Sequence, residues 1–121
     1  GTDNFLFIAG ETAQPAVLAS IENLENKSNY KCFFETQNKS SKFECHDPSN
    51  CIEWIYRNNE PAGKGSELSK RIERLEMKTD NLYVFGAGEA RQISSIRKTL
   101  KQKFDLKADQ MSFTGYWKRT D

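Results

Sequence analysis

Asn81-Leu82-Tyr83-Val84-Phe85-Gly86-Ala87-Gly88-Glu89-Ala90-Arg91 runs four apolar residues straight into a Gly-x-Gly and then into a helical pattern. Leu82 to Phe85 form the short continuous apolar run that a strand buried on both faces needs. Gly86, Ala87 and Gly88 then predict a sharp turn, because glycine adopts backbone conformations closed to other residues and lets a ligand approach the main chain. A helix opening there aims unpaired N–H groups at one spot, which suits an anion or a ligand carbonyl. A tight strand-to-helix connection that binds nothing would carry the same residues.

A second junction of this design stands near the start of the chain, Phe5-Leu6-Phe7-Ile8-Ala9-Gly10-Glu11-Thr12-Ala13-Gln14-Pro15-Ala16. Both strands end in Gly-Glu with alanine within two residues, and both feed a helix. In open parallel sheets the ligand crevice lies beyond the carboxyl ends of strands whose helices go to opposite faces. Two such turns side by side would make one.

Working outward, Phe5 to Ala9 read as the first strand, with Thr12 capping a helix that buries Val17, Leu18, Ile21 and Leu24 and ends over Asn26 to Asn29. Tyr30 to Thr36 and Cys51 to Tyr56 read as further strands, with Glu35 at the exit of one and Arg57 at the exit of the other. Ser66 can cap a helix carrying Leu68, Ile72 and Leu75 at i, i+4 and i+7, which leaves Lys70, Arg71 and Arg74 outward. The strand of the opening stretch is followed by a helix with Ile93, Ile96, Leu100 and Phe104 on one face, and Gln110 to Gly115 make the last strand. This alternation predicts α/β architecture, a parallel sheet with helices on both faces.

With 121 residues, one domain is expected. The 36% hydrophobic and 29% charged fractions fit a soluble globular protein, and no apolar run approaches the roughly 20 residues of a membrane helix. A net charge of +1 argues against nucleic-acid binding, which wants a strongly basic domain. Three cysteines, Cys32, Cys45 and Cys51, are too few and odd for a disulfide framework, which points to a reducing cytoplasm. The chain opens on Gly1 and enters a core strand almost at once, as a fragment of a longer protein would.

Several clusters offer residue types suited to a site. Gly10-Glu11-Thr12-Ala13-Gln14-Pro15 could cradle a diphosphate through Thr12 and the N–H groups of Ala13 and Gln14, although Glu11 opposes a phosphate directly beside it. Arg57, on the same sheet edge as both glycine stretches, could pair a ligand phosphate. Cys45-His46-Asp47 with Cys51 offers metal-ligand residue types without zinc-site spacing. Pro61-Ala62-Gly63-Lys64-Gly65-Ser66 lacks P-loop spacing and reads as a turn with a helix cap. The basic run Arg91, Arg97, Lys98, Lys101, Lys103 and Lys107 is by default a solvated helix face.

Gly10-Glu11-Thr12-Ala13-Gln14-Pro15-Ala16, then Gly86-Ala87-Gly88-Glu89-Ala90 with Arg91 and Arg97, then Gly115-Tyr116-Trp117-Lys118-Arg119, together resemble the siderophore-interacting protein family over nearly the whole chain. The stretch Asn38 to Cys51 departs from that pattern. The resemblance implies a three-layer αβα domain with a five-stranded parallel sheet in the order 3-2-1-4-5, similar to the C-terminal NAD(P)-binding domain of ferredoxin reductases. It implies the pyridine-nucleotide half of an NAD(P)H-dependent, FAD-containing ferric-siderophore reductase that releases iron in the cytoplasm. The partners implied are an N-terminal FAD-binding barrel, a ferric siderophore and ferredoxin as a possible electron donor. On this resemblance Gly10, Glu11, Thr12, Ala13 and Arg57 line the nucleotide crevice, and Gly86, Ala87, Gly88 and Glu89 lie beside the nicotinamide. Tyr116 and Trp117 close on the flavin side, Lys118 and Arg119 attract the anionic siderophore, and no residue of the chain ligates a metal. Glu35 could bind a ribose hydroxyl, whereas Arg57 and Lys64 could favour a 2′-phosphate, so NADH and NADPH both stay open. A small nucleotide- or partner-binding module without redox chemistry is the alternative that the residues alone allow.

Overall fold

The computed structural model describes residues 3–24, 29–37, 51–58 and 67–117, with side chains described as far as Gly115. In chain order the elements are β1 (Asn4–Ala9), a 3-10 turn (Glu11–Ala13), α1 (Gln14–Glu22), β2 (Asn29–Thr36), β3 (Ile52–Tyr56), α2 (Glu67–Glu73), β4 (Leu82–Glu89), α3 (Ala90–Phe104), a 3-10 turn (Ala108–Gln110) and β5 (Met111–Trp117). The five strands form one parallel sheet in the order β3-β2-β1-β4-β5, as expected. From β1 the chain steps outward twice, to β2 and β3, then returns across β1 to β4 and steps the other way to β5. Right-handed crossovers therefore put α1 on one face and α2 and α3 on the other.

The central strand shows why the sequence does this. In β1, Leu6 and Ile8 point to one face, where they join Phe33, Ile55, Leu82 and Val84 beneath Leu68 and Ile72 of α2 and Ile96 and Leu100 of α3. Phe7 and Ala9 point to the other face, where they meet Cys32, Phe34, Ile52 and Val17 of α1. A period of two with apolar residues in both phases is what a strand sandwiched between helix layers requires. At its amino end β1 is anchored to β4 by the Asn4 side-chain amide, which donates to the Asp80 carbonyl at 2.6 Å.

β4 departs from the expectation of burial on both faces. Leu82 and Val84 are buried, but Tyr83 and Phe85 are 38% and 39% exposed. On the α1 side the buried cluster joins Val17 to β1 and β2 and includes Ala87 of β4, and neither Tyr83 nor Phe85 is among its buried members. Tyr83 and Phe85 shelter instead against their aromatic neighbours in β1, with Phe5–Tyr83 and Phe7–Phe85 centroids 5.8 and 5.5 Å apart.

Thr12 does not cap a helix. The chain leaves β1 through the 3-10 turn, whose N-cap is Gly10 without a side-chain bond, and the Ala13 N–H donates to the Gly10 carbonyl at 3.1 Å. That tighter turn does what a Thr12 cap would have done, and Thr12 is exposed. α1 follows with Pro15 in its first turn, where a missing N–H leaves nothing unsatisfied. It ends at Glu22, earlier than its periodicity suggests.

The long helix matches its pattern, with Ile93, Ile96 and Leu100 buried and Lys98, Lys101 and Lys103 exposed. Asp105 stops it in the left-handed conformation, φ 52° and ψ 47°, and sends its N–H to Lys101. Its first turn presses on β5: a Cβ on Gly115 would lie 2.8 Å from the Cβ and 2.9 Å from the Cα of Ala90. Backbone cannot yield as a side-chain tip can, so Gly115→Ala should destabilise the chain by about 1–2 kcal/mol. Urea unfolding checks this, and an unchanged midpoint would show that the start of α3 moves freely.

Candidate functional site: a crevice between two strand ends

β1 and β4 are neighbours, and their carboxyl ends meet at Gly10 and Gly88. The Gly10 N–H donates to the Ala87 carbonyl at 3.0 Å. A Cβ on Gly88 would lie 3.3 Å from the Gly10 nitrogen, and one on Gly10 would lie 3.4 Å from the Gly88 Cα. Beyond this contact the chain diverges, with α1 going to one face and α3 to the other, which opens the crevice expected where neighbouring strands part.

The Gly-x-Gly, however, is not a turn. Gly86, Ala87 and Gly88 lie inside β4, which runs on to Glu89. They stay extended because both neighbours reach this far: Ala87 pairs with Ala9 on one side and Thr114 on the other, and Gly88 pairs with Gly115. Gly86 is small for a packing reason, since a Cβ there would lie 2.5 Å from the Phe113 ring. The ladder slips only between Gly88 and Glu89.

The crevice has a volume of about 220 Å³ and is lined by Gly10, Glu11, Thr12, Glu35, Arg57, Glu89 and Gln92. Glu35 comes from the end of β2, one residue past Phe34, which pairs with Ala9, so it stands level with Gly10. Its carboxylate is 1% exposed and accepts from the Gln92 side-chain amide, 3.2 Å from each oxygen. The Gln14 side chain donates to the Glu35 carbonyl at 3.0 Å. Glu89, 2% exposed, is the N-cap of α3 and accepts from the Gln92 N–H at 2.9 Å, a carboxylate where a helix dipole favours one. Gln92 therefore ties two buried carboxylates together, one through its main chain and one through its side chain.

Arg57 sits at the exit of β3, as expected, and its N–H donates to the Thr36 carbonyl at 2.9 Å. The expectation that its guanidinium awaits a ligand phosphate needs correcting. It donates to Glu11 Oε1 at 2.6 Å and lies 3.8 Å from Glu35 Oε1. Nor does the turn offer the Ala13 N–H to a diphosphate, because it is closed onto Gly10 and Ala13 is fully buried. Among the described lining residues three carboxylates face one guanidinium, a formal charge of −2 for those four groups when all are ionised. They are rich in hydrogen-bond acceptors and poor in uncommitted positive charge. Such a lining suits hydroxyl and amide donors better than a phosphate placed directly against it.

Gln92 is the member that sequence reasoning missed. Its place three residues after Glu89 marks it as a capping partner. Its reach to Glu35, 57 positions away, has no local signal. Tyr116 and Trp117 end β5, and Trp117 stands opposite Glu89 in register, so their backbone shares the sheet edge of the crevice. Lys118, Arg119, Lys64, the Cys45-His46-Asp47 cluster, the 38–50 stretch and Ser66 lie outside the described residues. Cys32 is buried in the α1-side core. Among the described residues no group of three or more His, Cys, Asp or Glu is placed to hold a metal ion, and no helix is long and apolar enough to cross a membrane.

The sheet order, the helix layers and the crevice at the β1–β4 junction place the chain among the ferredoxin-reductase-like α/β domains. A ferredoxin-NADP+ reductase from Plasmodium falciparum, solved with 2′P-AMP, superposes with a TM-score of 0.58 at 18% identity, covering 94% of this chain and 52% of that one. The chain belongs to the siderophore-interacting protein family, whose profile matches residues 2–120. A siderophore utilization protein from T. fusca shares the structure with a TM-score of 0.85 and 29% identity, over 98% of this chain and 46% of the other. The ferric vibriobactin reductase ViuB of Vibrio cholerae is 28% identical over 116 residues, 93% of this chain and 42% of that protein. The chain thus spans less than half the length of these two relatives.

Proposed function

We propose that this chain is a single domain, residues 1–121, forming the pyridine-nucleotide-binding half of a flavin-dependent ferric-siderophore reductase that frees iron from imported siderophores in the cytoplasm. The observation that carries the proposal is the backbone contact of Gly10 with Gly88, which opens an acceptor-lined crevice at the point where a ferredoxin-reductase-like sheet takes its nucleotide. Membership of the siderophore-interacting protein family and similarity to a protein named ferric vibriobactin reductase support the substrate class. Its other half is a flavin-binding domain of the same protein. NAD(P)H and FAD supply the electron chemistry, turning a two-electron hydride donor into single electrons for iron.

This chain's own residues bind and orient. Gly10, Glu11 and Thr12 line the nucleotide crevice over Ala13, Arg57 closes its side, and Gly86 to Glu89 lie beside the nicotinamide. Tyr116 and Trp117 close on the flavin, and Lys118 and Arg119 draw in an anionic ferric siderophore, which brings the iron with it.

Anaerobic mixing of the full-length, flavin-loaded protein with NADH and with NADPH tests the assignment. At least one nucleotide should bleach the flavin, and a ferric siderophore added afterwards should restore the oxidised spectrum while a ferrous chelator develops colour. Bleaching by reduced ferredoxin and by neither nucleotide would overturn the nucleotide-binding role.

A further inference from the structure

Among the described residues, the position of Arg57 in the crevice lining carries a further conclusion, which rests on the nucleotide-binding reading above. We infer that the Glu35–Arg57–Glu11 cluster excludes a 2′-phosphate and makes NADH the preferred nucleotide over NADPH. In doubly wound sheets an acid at the end of the second strand accepts from the ribose 2′-hydroxyl, and selectivity for the phosphorylated nucleotide comes from an arginine nearby. Both residue types are present here, and the geometry decides between them. Glu35 stands beside Gly10, with both carboxylate oxygens held 3.2 Å from the Gln92 amide, so it is fixed in place rather than able to swing aside.

Arg57 is spoken for by Glu11 at 2.6 Å and Glu35 at 3.8 Å, and its side chain is only 14% exposed. To serve a 2′-phosphate it would have to leave Glu11 and weaken its hold on a buried carboxylate, which is costly for the charge left behind. A phosphate monoester carrying about −1.5 to −2 charges would meanwhile face two carboxylates. A hydroxyl carries no charge to meet such opposition and can donate to a carboxylate.

The test is calorimetric titration of the full-length, flavin-loaded protein with NAD+ and NADP+, and with AMP and 2′-phospho-AMP as probes of the ribose alone. NAD+ should bind at least about tenfold tighter than NADP+, with AMP above 2′-phospho-AMP in the same sense, and the gap should narrow as salt rises. Glu11→Gln removes Arg57's closest competitor at a half-exposed position where folding is not at stake. It should tighten NADP+ relative to NAD+, and 2′-phospho-AMP relative to AMP, about five- to tenfold. Wild-type protein that binds NADP+ as tightly as NAD+, or a ratio unmoved in Glu11→Gln, would overturn the inference. If none of the four compounds binds, the nucleotide-binding reading itself falls and takes this inference with it, a result distinct from an inverted ranking.

Discussion

Replacing Phe7 by Ala should destabilise this chain by about 3–4 kcal/mol, a large share of the 5–15 kcal/mol typical of a domain. Phe7 is 1% exposed at the centre of the sheet, paired in register with Cys32 on one side and Phe85 on the other. Its ring stacks on Phe85 at 5.5 Å and Phe5 at 6.1 Å and meets Tyr30 edge-on at 6.4 Å. Truncation removes those contacts together with the apolar area buried under Val17. The loss falls short of the upper limit for a phenylalanine because Phe85 lies at the open side of the cluster and can lean into part of the void. Phe85→Ala is the paired measurement: at 39% exposure it should cost about 1 kcal/mol. Chemical denaturation of both variants gives the comparison. Equal losses would mean that Phe85 is as fully covered in solution as Phe7.

Gln92→Leu should cost about 2–3 kcal/mol, through a different mechanism. The leucine fills nearly the same volume and leaves the main-chain N–H of residue 92 bonded to Glu89, so the cap of α3 survives. What disappears is the amide that donates to both oxygens of Glu35, a carboxylate 1% exposed. Hydrogen bonds to a charged group contribute about 1.5–3 kcal/mol, and the buried carboxylate loses the donor shared by both its oxygens. Removing both polar partners is milder than removing one. The double variant Glu35→Leu/Gln92→Leu should therefore be less destabilised than the sum of the single variants, by a coupling of about 1–2 kcal/mol. Strict additivity would show that Gln92 does not support the Glu35 charge, and that the amide contact is incidental to it.

The architecture was legible because it rests on patterns that local residues state openly. Two apolar runs, each ending in a Gly-Glu and each followed by a helical stripe, placed β1 and β4 side by side, and that juxtaposition is found. The position of the crevice, with Glu35 and Arg57 at its rim, followed from strand ends alone. The chemistry inside it did not. Arg57 at a sheet edge looks like a phosphate ligand until Glu11, 46 positions away, is seen to hold it. Glycine announces only that something must come close; at Gly86 it is the Phe113 ring, and at Gly88 the main chain of Gly10, where a ligand turn was expected. Tyr83 and Phe85 were read as core because an apolar run does not say how far a helix on the next layer extends. Thr12 was read as a cap because a 3-10 turn closing on Gly10 has no distinct residue signature.

The seat of β1 between β2 and β4 also governs the order in which this molecule can be made. Asn4 closes on Asp80, 76 positions later, so the innermost pairing of the sheet waits until most of the chain exists. At a synthesis rate of about 5–20 residues per second, that is a delay of roughly 4–15 s on the ribosome. During it, β1 can align with β2, but its other edge, a row of backbone N–H and C=O groups between two apolar faces, has no mate. Closing so long a loop is entropically demanding and slow for a parallel sheet, and an open apolar edge is a template for the wrong strand. Nascent chains stalled before β4 should therefore be the species that holdase chaperones recognise, and the glycine-rich end of β4 is what finally seals the sheet.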